Sequence, residues 1–281
     1  MPLRNQRLAF VGGGVMAEAM IRGVLDRHLV PPSRIRVAGP RRERRAELVK
    51  HFGVGAVASN AEAAKGADVV VLSVKPQVLP IVMRELHGKL RADQLVISIV
   101  AGATMRALGS GLAHPAIVRA MPNTPAQVGM GVTAWYPSHA VTTSQRERTR
   151  SLLAALGEEL MVEDESYVDM ATAVSGTGPT YVFLLMEAMV DAAVHLGFSR
   201  RVAEELVLRT VEGSALFARK SGRHLAELRN MVTSPGGTSA AAIYQLEKGS
   251  LRTVLSKAVY AAHQRAIELG AISERDAADD E

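Results

Sequence analysis

The chain contains 281 residues, of which 48% are hydrophobic and 22% are charged, a composition typical of a soluble globular protein with a substantial core. It contains no cysteine, which excludes disulfides, thiolate metal sites and cysteine nucleophiles. The net charge of +5 leaves a nucleic acid, a membrane surface or an anionic small ligand open as the partner.

The positive charge is concentrated near the start of the chain. Residues 1–60 contain eleven Lys/Arg and four Asp/Glu, a local net charge of +7, whereas the remaining residues carry a net charge of −2. The tightest cluster consists of Arg41, Arg42, Arg44 and Arg45. Such a local excess favours one small anionic ligand over a polyanion that contacts a large surface.

The first half of the chain alternates short β-branched runs with helical patterns. Helical periodicity is clear over Val15–His28 and Arg41–Phe52. The predicted strands are Leu8–Val11, Arg34–Ala38, Val69–Val74, Leu95–Val100, Ile117–Ala120, Gly131–Tyr136 and Glu159–Val162. This alternation predicts an α/β domain over residues 1–164, with a mostly parallel sheet covered by helices on both faces.

Strand patterns stop after the acidic stretch Glu163–Glu165, where we place a domain boundary. Residues 165–272 show helical patterns separated by Gly and Pro, which predicts a second, all-α domain. Residues 273–281 are polar and acidic, and we expect a disordered tail there.

Neither a leader nor a membrane span is expected. The apolar run Leu8–Val11 ends at Gly12 and is too short for a signal sequence. The longest apolar run, Pro179–Leu196, carries Glu187, Asp191 and His195 on one polar stripe, which a membrane span would not tolerate. We therefore expect a cytoplasmic protein without a membrane partner.

A glycine-rich loop follows the first predicted strand. Gly12-Gly13-Gly14-Val15-Met16-Ala17 has the G-x-G-x-x-A form of the dinucleotide fingerprint, with the required strand before it and helix after it. Gly12 permits the tight turn, Gly14 permits close approach of a pyrophosphate, and Ala17 permits close packing of helix and strand. The loop predicts a Rossmann-like dinucleotide-binding domain, with another Gly-rich turn as the alternative.

Arginines replace the expected acidic residue at the end of the second strand. An NAD-specific site usually has Asp or Glu there, whereas this chain continues from Ala38 through Gly39 and Pro40 to Arg41 and Arg42. A 2′-phosphate would be stabilised by these cations, so we predict NADPH as the cofactor and NADH as a weaker donor. The alternative is a solvated basic face.

Three further segments lie at the carboxyl ends of predicted strands, where ligands bind in open α/β sheets. They contribute Lys75 and Pro76, Ala101, and Met121 with Asn123. Turn formation alone is the alternative for each segment.

A helix start in the second half has features of a carboxylate site. Ser234 is expected to cap the helix and Pro235 to be its first residue, followed by Gly236 and Gly237. Two glycines lower helix stability but expose backbone N–H groups to an anion. The hydroxyls of Ser234, Thr238 and Ser239 are available to a small polar ligand, and a frayed helix start is the alternative.

A second Gly-rich segment, Ser175–Thr180, precedes the long apolar helix, and we expect it to be a capping loop. The eight histidines are scattered without ligand spacing, so no metal site is predicted.

Together these motifs resemble those of the pyrroline-5-carboxylate reductases, in the same order and over nearly the whole chain. The matching segments are Gly12–Ala17, Val74–Gln77, Arg119–Pro125, Val174–Tyr181 and Met231–Ser239. The resemblance implies reduction of Δ1-pyrroline-5-carboxylate to L-proline by NAD(P)H, the last step of proline biosynthesis. It also implies a homodimer with interlocked helical domains, often assembled further into decamers.

The resemblance also implies roles for individual residues. Gly12, Gly14, Val15 and Met16 would bind the cofactor pyrophosphate, Lys75 and Pro76 would line the ribose and nicotinamide, and Ala101 and Met121 to Asn123 would complete the cofactor site. Ser234, Gly236, Gly237, Thr238 and Ser239 would bind the substrate, with Thr238 and Ser239 as the catalytic pair. Two positions depart from the family: Ser239 usually is Thr, and Val15 is Asn in many bacterial members.

The implied chemistry needs no strong general acid, because a substrate iminium arrives already protonated. We expect Ser239 to orient the imine nitrogen.

Other functions stay open on the sequence. A β-hydroxyacid dehydrogenase would need a lysine that Pro179–Ser199 does not contain. A reductase of six-membered cyclic imines and a non-catalytic NADP sensor are further alternatives. A nucleic-acid-binding module is disfavoured, because aromatic residues make up only 4% of the chain.

Overall fold

The protein is described by a computed structural model over residues 2–278. The strands are β1 (Leu8–Val11), β2 (Ile35–Ala38), β3 (Gly55–Val57), β4 (Val69–Leu72), β5 (Leu95–Ser98), β6 (Ile117–Met121), β7 (Gly131–Pro137) and β8 (Gly157–Met161). The helices are α1 (Val15–Asp26), α2 (Arg42–Phe52), α3 (Asn60–Ala64), α4 (Leu79–Leu86), α5 (Met105–Leu112), α6 (Thr143–Leu153), α7 (Ser166–Ala171), α8 (Gly178–His195), α9 (Arg200–Ser221), α10 (Leu225–Met231), α11 (Thr238–Lys248) and α12 (Leu251–Ala278).

The eight strands form one sheet in the order β3-β2-β1-β4-β5-β6-β7-β8. All neighbouring pairs are parallel except β6 and β7, which are antiparallel. Alternate residues of β1 face opposite cores, with Leu8 and Phe10 in one cluster and Ala9 and Val11 in the other. The predicted mostly parallel α/β domain with both faces covered is confirmed.

One strand was not predicted from the sequence. β3 has only three residues, begins with Gly55 and is partly exposed at the sheet edge. Such a short edge strand lacks the β-branched run that identifies its buried neighbours.

The described chain packs as two compact units. One contains the residues up to Thr177 together with those from Ala261 onward, and the other is Gly178–Tyr260. The predicted limits of 1–164 and 165–272 remain a prediction about domains, whereas packing keeps α7 in the first unit because ion pairs join it to β6.

The carboxyl-terminal helix extends further than the sequence indicated. α12 continues to Ala278, so the prediction of disorder was wrong for residues 273–278, and residues 279–281 lie outside the described part. Gly270 resembled a helix end, but it is buried, and a Cβ there would lie 3.2 Å from Cγ2 of Thr104. It permits close packing of α12 within the first unit, and the residues after it contain neither Gly nor Pro to stop the helix.

The second unit is entirely helical, as predicted, and has a small core of its own. Its buried hydrophobic cluster consists of Val190, Ala203 and Val207. Many large apolar side chains remain exposed, among them Phe183, Leu184, Leu208, Phe217, Tyr244 and Val254. Within residues 2–278, the structure has no helix of the length and hydropathy needed to cross a membrane.

Candidate active site

The parallel strands bring the predicted cofactor residues to one edge of the sheet. Val11 pairs with Leu72, Leu72 with Ser98, and Ser98 with Arg119, so the carboxyl ends of β1, β4, β5 and β6 are level. Met121 is the last residue of β6, and the segments that follow the four strands contain Gly12, Gly14, Val15, Met16, Lys75, Pro76, Ala101 and Asn123. This edge is the binding region of open α/β sheets.

The glycine loop fits the close approach of a dinucleotide. Gly12 has a φ of 101°, and a Cβ there would lie 2.6 Å from the carbonyl oxygen of Ser73, so only glycine is tolerated. Gly14 caps α1 without a side chain, and both Gly14 and Val15 are exposed, with Val15 at 60%. The first N–H groups of α1 therefore face open space, as a pyrophosphate requires.

Two side chains hold this loop: Ser73, which the sequence did not indicate, and Arg44, which it indicated only as a member of the basic cluster. Ser73, which follows β4, donates its hydroxyl to the carbonyl oxygen of Gly12 at 2.8 Å. Arg44, on α2, donates Nε to the carbonyl oxygen of Gly13 at 2.8 Å and forms an ion pair with Glu18 in the first turn of α1. Both contacts join segments distant in sequence, so no local pattern reveals them.

The arginine cluster divides into two functional pairs. Arg44 and Arg45 are engaged with the protein itself, because Arg45 donates Nη1 to the carbonyl oxygens of Gly39 and Pro40 at 2.6 and 2.8 Å. Arg41 and Arg42 are exposed, and their side chains form no hydrogen bond or ion pair with any other described residue. These two cations are therefore available to a ligand.

A pocket lies between the glycine loop and this cluster. Its lining includes Gly13, Gly14, Ala38, Gly39 and Arg41. Arg42 does not line the pocket, although it lies beside Arg41 in sequence. The position of the pocket at the end of β2 matches the place where dinucleotide sites distinguish a ribose hydroxyl from a 2′-phosphate.

Electrostatics strengthen the contact between α1 and α2. The pKa of Glu18 is lowered, chiefly by the hydrogen bond from Arg44, with a further contribution from Arg22. The pKa of Arg44 is raised by the same bond. Glu18 therefore stays ionised, and the pair holds α2 against the glycine loop.

The remaining cofactor candidates occupy turns along the same edge. Lys75 is exposed and precedes a 3₁₀ turn that begins at Pro76. Ala101 follows β5 and is partly buried. Asn123 uses its side-chain oxygen to accept the backbone N–H of Val132 at 2.9 Å, which fixes the loop after β6 against β7.

A buried arginine organises the end of β6. Arg119 has a side chain only 4% exposed, and it donates to Glu165 and, at 2.8 Å, to Asp169. Glu165 also accepts the backbone N–H of Met105 at 2.7 Å. One guanidinium therefore joins β6, α7 and the start of α5 beside Met121.

The segment predicted as a capping loop is mostly helical: a π-helical turn ends at Gly176, Thr177 is a bend, and α8 begins at Gly178. Residues Thr172–Gly176 form a π-helical turn, in which the N–H of Thr177 reaches the carbonyl oxygen of Thr172 at 2.8 Å. A Cβ on Gly176 would lie 3.4 Å from Cγ of Met121, so the turn passes close to the end of β6. The expectation of a capping loop was wrong, because the hydroxyls of Ser175 and Thr177 bond to carbonyls of the preceding turn.

All predicted substrate residues lie in the second unit, around the start of α11. The expectation that Ser234 caps this helix and that Pro235 is its first residue was wrong, because Gly237 is the cap and the helix begins at Thr238. The N–H of Gly237 instead donates to the carbonyl oxygen of Ser234 at 3.0 Å, with Gly236 at a φ of 71°. Pro followed by Gly with a positive φ is typical of a type II turn. Because this turn occupies Ser234 to Gly237, the helix begins only at Thr238.

This turn leaves the beginning of α11 open to an anion. Gly237 caps the helix without a side-chain hydrogen bond, and Thr238 and Ser239 are its first two residues. Their backbone N–H groups and hydroxyls are therefore grouped at the positive end of an eleven-residue helix. No group of His, Asp and Glu within residues 2–278 has the arrangement of a metal site.

Comparison with known proteins identifies the family. Over 268 residues the chain is 44% identical to a curated pyrroline-5-carboxylate reductase of Pseudomonas aeruginosa, covering 95% of this chain and 98% of the relative. The chain belongs to the pyrroline-5-carboxylate reductase family. A reductase of the same name from Arabidopsis thaliana is 37% identical, with 96% and 97% of the two chains covered.

Domain-level matches agree with membership of the pyrroline-5-carboxylate reductase family. Residues 165–269 match the family described as pyrroline-5-carboxylate reductase dimerisation, so the helical half carries an oligomerisation domain. Residues 7–102 match the family described as NADP oxidoreductase, coenzyme F420-dependent.

Solved structures of the family share this fold. The pyrroline carboxylate reductase of Plasmodium falciparum, determined with NADP bound, superposes with a TM-score of 0.88 at 31% identity, covering 95% of this chain and 99% of that one. The pyrroline-5-carboxylate reductase of Coxiella burnetii gives a TM-score of 0.86 at 38% identity, covering 95% and 99%.

Proposed function

We propose that this protein reduces Δ1-pyrroline-5-carboxylate to L-proline, the last step of proline biosynthesis, with NADPH as the electron donor. The observation that carries the proposal is the full-length similarity to reductases of that name in both sequence and structure. The glycine loop, the open start of α1 and the two free arginines support a dinucleotide with an additional phosphate.

The first unit supplies the cofactor site. Gly12, Gly14, Val15 and Met16 would hold the pyrophosphate at the start of α1. Arg41, with Arg42 beside it, would bind the 2′-phosphate. Along the sheet edge, Lys75, Pro76, Ala101, Met121 and Asn123 would hold the ribose and nicotinamide. When bound, NADPH supplies the hydride that the imine carbon accepts.

The second unit supplies the substrate groups. The backbone N–H groups at the start of α11, together with Ser234, Gly236 and Gly237, would bind the substrate carboxylate, whose charge the helix dipole stabilises. The Ser239 hydroxyl would accept a hydrogen bond from the protonated imine nitrogen, and Thr238 would assist in holding the ring. The nitrogen keeps its proton and becomes the amine, so these residues orient the substrate and need not transfer a proton.

One assay tests the activity directly. We expect purified protein to oxidise NADPH in the presence of the five-membered cyclic imino acid, with L-proline as the product. The same assay with the six-membered homologue tests the alternative of a broader imine reductase. Cofactor oxidation without proline formation would contradict the proposal.

The role of Ser239 has its own prediction. We expect Ser239→Ala to lower kcat/KM for the imine about tenfold or more, because a positioning hydrogen bond is lost, with little change in KM for NADPH. Ser256→Ala, an exposed serine on α12, is the control. A near-wild-type value for Ser239→Ala would refute this role.

We propose a homodimer with interlocked helical domains, five of which assemble into a decamer. The match to the dimerisation family and the exposed apolar side chains of the second unit support an assembly through that unit. Light scattering measures its size. Cytoplasmic location stays a prediction, and cell fractionation tests it.

A further inference from the structure

A second group of cations surrounds a cavity at the opposite edge of the sheet from the glycine loop. Arg7 precedes β1, Arg34 precedes β2, Arg36 lies in β2, and Lys65 follows α3. All four line one cavity of about 270 Å³. Since these positions are at or near the amino ends of parallel strands, the cavity is separate from the carboxyl-end cofactor site.

The charges around this cavity are not neutralised by carboxylates. Arg34 donates to the carbonyl oxygen of Asn5, and Arg36 donates to the carbonyl oxygen of Glu62 at 3.1 Å. The side chains of Arg7 and Lys65 form no hydrogen bond or ion pair with another residue in the described range 2–278. Neutral carbonyls fix the direction of two guanidinium groups but leave all four positive charges in place.

The absence of carboxylates is a property of the cavity lining itself. Other arginines, such as Arg44, Arg91 and Arg209, form ion pairs with carboxylates. The cavity lining contains no Asp or Glu. Asp68 lies outside this lining and accepts the backbone N–H of Arg7 at 2.7 Å, and it forms no ion pair with the Arg7 guanidinium.

Arg7, Arg36 and Lys65 are exposed and Arg34 is partly buried, so the four cations are accessible to a dissolved ligand, and their combined charge would attract an anion. We propose that this cavity, hereafter the basic cavity, binds a small phosphate-bearing anion at a site distinct from the cofactor site. Guanidinium groups match the geometry of phosphate oxygens, and the volume lies near the lower end of small-ligand sites. Three of its cations, Arg7, Arg34 and Arg36, belong to the positively charged residues 1–60.

Calorimetry with sodium tripolyphosphate tests the site, in the presence of saturating NADP⁺ so that the cofactor's own phosphate region is occupied. Wild-type protein is expected to bind the probe at one site, more weakly as salt is raised. Lys65→Gln and Arg36→Gln are each expected to weaken binding about fivefold. Lys89→Gln is the matched control, since Lys89 is an exposed lysine outside the lining.

Lys65→Gln removes no internal contact, so its NADPH-dependent activity is expected to equal that of wild type, which verifies folding. Failure of wild-type protein to bind tripolyphosphate, or equal affinity of Lys65→Gln and Lys89→Gln, overturns the proposal. Titrations with ATP and with inorganic phosphate distinguish a nucleotide from a free phosphate as the occupant. Stronger binding of a single-stranded oligonucleotide than of every small anion, lost in Lys65→Gln, would assign the surface to nucleic acid instead.

Discussion

At the scale of single residues, the arginines of the cluster that follows β2 have different structural roles. Arg41, Arg44 and Arg45 all line the pocket, but Arg44 and Arg45 bond to the backbone of the loops beside them, whereas the Arg41 side chain has no partner among the described residues. Charge alone therefore does not identify a ligand-binding arginine. The decisive property is whether the guanidinium is already engaged within the protein.

Arg41 is expected to determine the choice of cofactor. Replacing it with Ala should raise KM for NADPH about tenfold and leave KM for NADH nearly unchanged, because only NADPH carries the 2′-phosphate. Steady-state kinetics with both cofactors measure this, with Lys50→Ala at the other end of α2 as the control. An unchanged ratio of the two KM values would show that the arginine is only solvated.

Glu18 is expected to make stability depend on pH. Its folded-state pKa is lowered by Arg44, so the stabilisation is present above the ordinary carboxyl pKa and is lost as pH falls through the folded value. Glu18→Gln should cost about 1–2 kcal/mol near neutral pH and progressively less in acid. Urea unfolding from pH 7 down to pH 3 measures the difference, and a pH-independent difference would contradict the assignment.

At the scale of elements, the sequence predicted most strands and the helical character of the second half. The buried strands β1, β4 and β5 have β-branched or long apolar side chains throughout, which is a local signal. The start of α11 was misassigned, because Ser-Pro-Gly-Gly satisfies helix-start rules as well as those of a type II turn. The π-helical turn depends on hydrogen bonds that no residue pattern specifies.

The site was predicted less completely than the fold. The glycine loop is visible in sequence because each glycine has a local conformational reason. The contacts of Ser73, Arg44 and Arg119 join residues 26 to 62 positions apart, and only the folded sheet brings them together. The sequence therefore identified the glycine loop at the sheet edge, whereas the contacts that position this loop are visible only in the fold.

Substitutions of Arg119 test how much its ion pairs between β6 and α7 stabilise the protein. Arg119→Met should destabilise the protein by about 3 kcal/mol, because Glu165 and Asp169 lose their shared cation while partly buried. Arg119→Lys should recover part of the stability but not the two-pronged geometry. Thermal unfolding of both variants measures this, and equal losses for Met and Lys would argue against a role for that geometry.

At the scale of the whole molecule, the second unit has too small a core to be stable alone. Three buried residues form its hydrophobic cluster, whereas side chains such as Phe183 and Leu184 are 62% and 65% exposed. Burial of such a surface against another copy would supply the missing stabilisation.

We therefore expect the unfolding temperature to rise with protein concentration, as mass action requires for a folded oligomer. Phe183→Asp should lower that temperature and reduce the oligomer to a smaller species. Ile81→Asp, an exposed apolar position on α4 of the first unit, is the control. Calorimetry and light scattering over a hundredfold concentration range measure both effects, and a concentration-independent transition would exclude this coupling.

The return of α12 to the first unit has a consequence for synthesis on the ribosome. A Cβ at Gly102 would lie 2.4 Å from Cβ of Leu269, so the loop after β5 packs directly on a segment made much later. During synthesis, this loop therefore stays uncovered until the helices between β5 and Leu269 have been translated. Chains truncated before Leu269 would leave the loop after β5 uncovered at the carboxyl-end edge of the sheet. Proteases are expected to cleave such chains faster than the full-length protein.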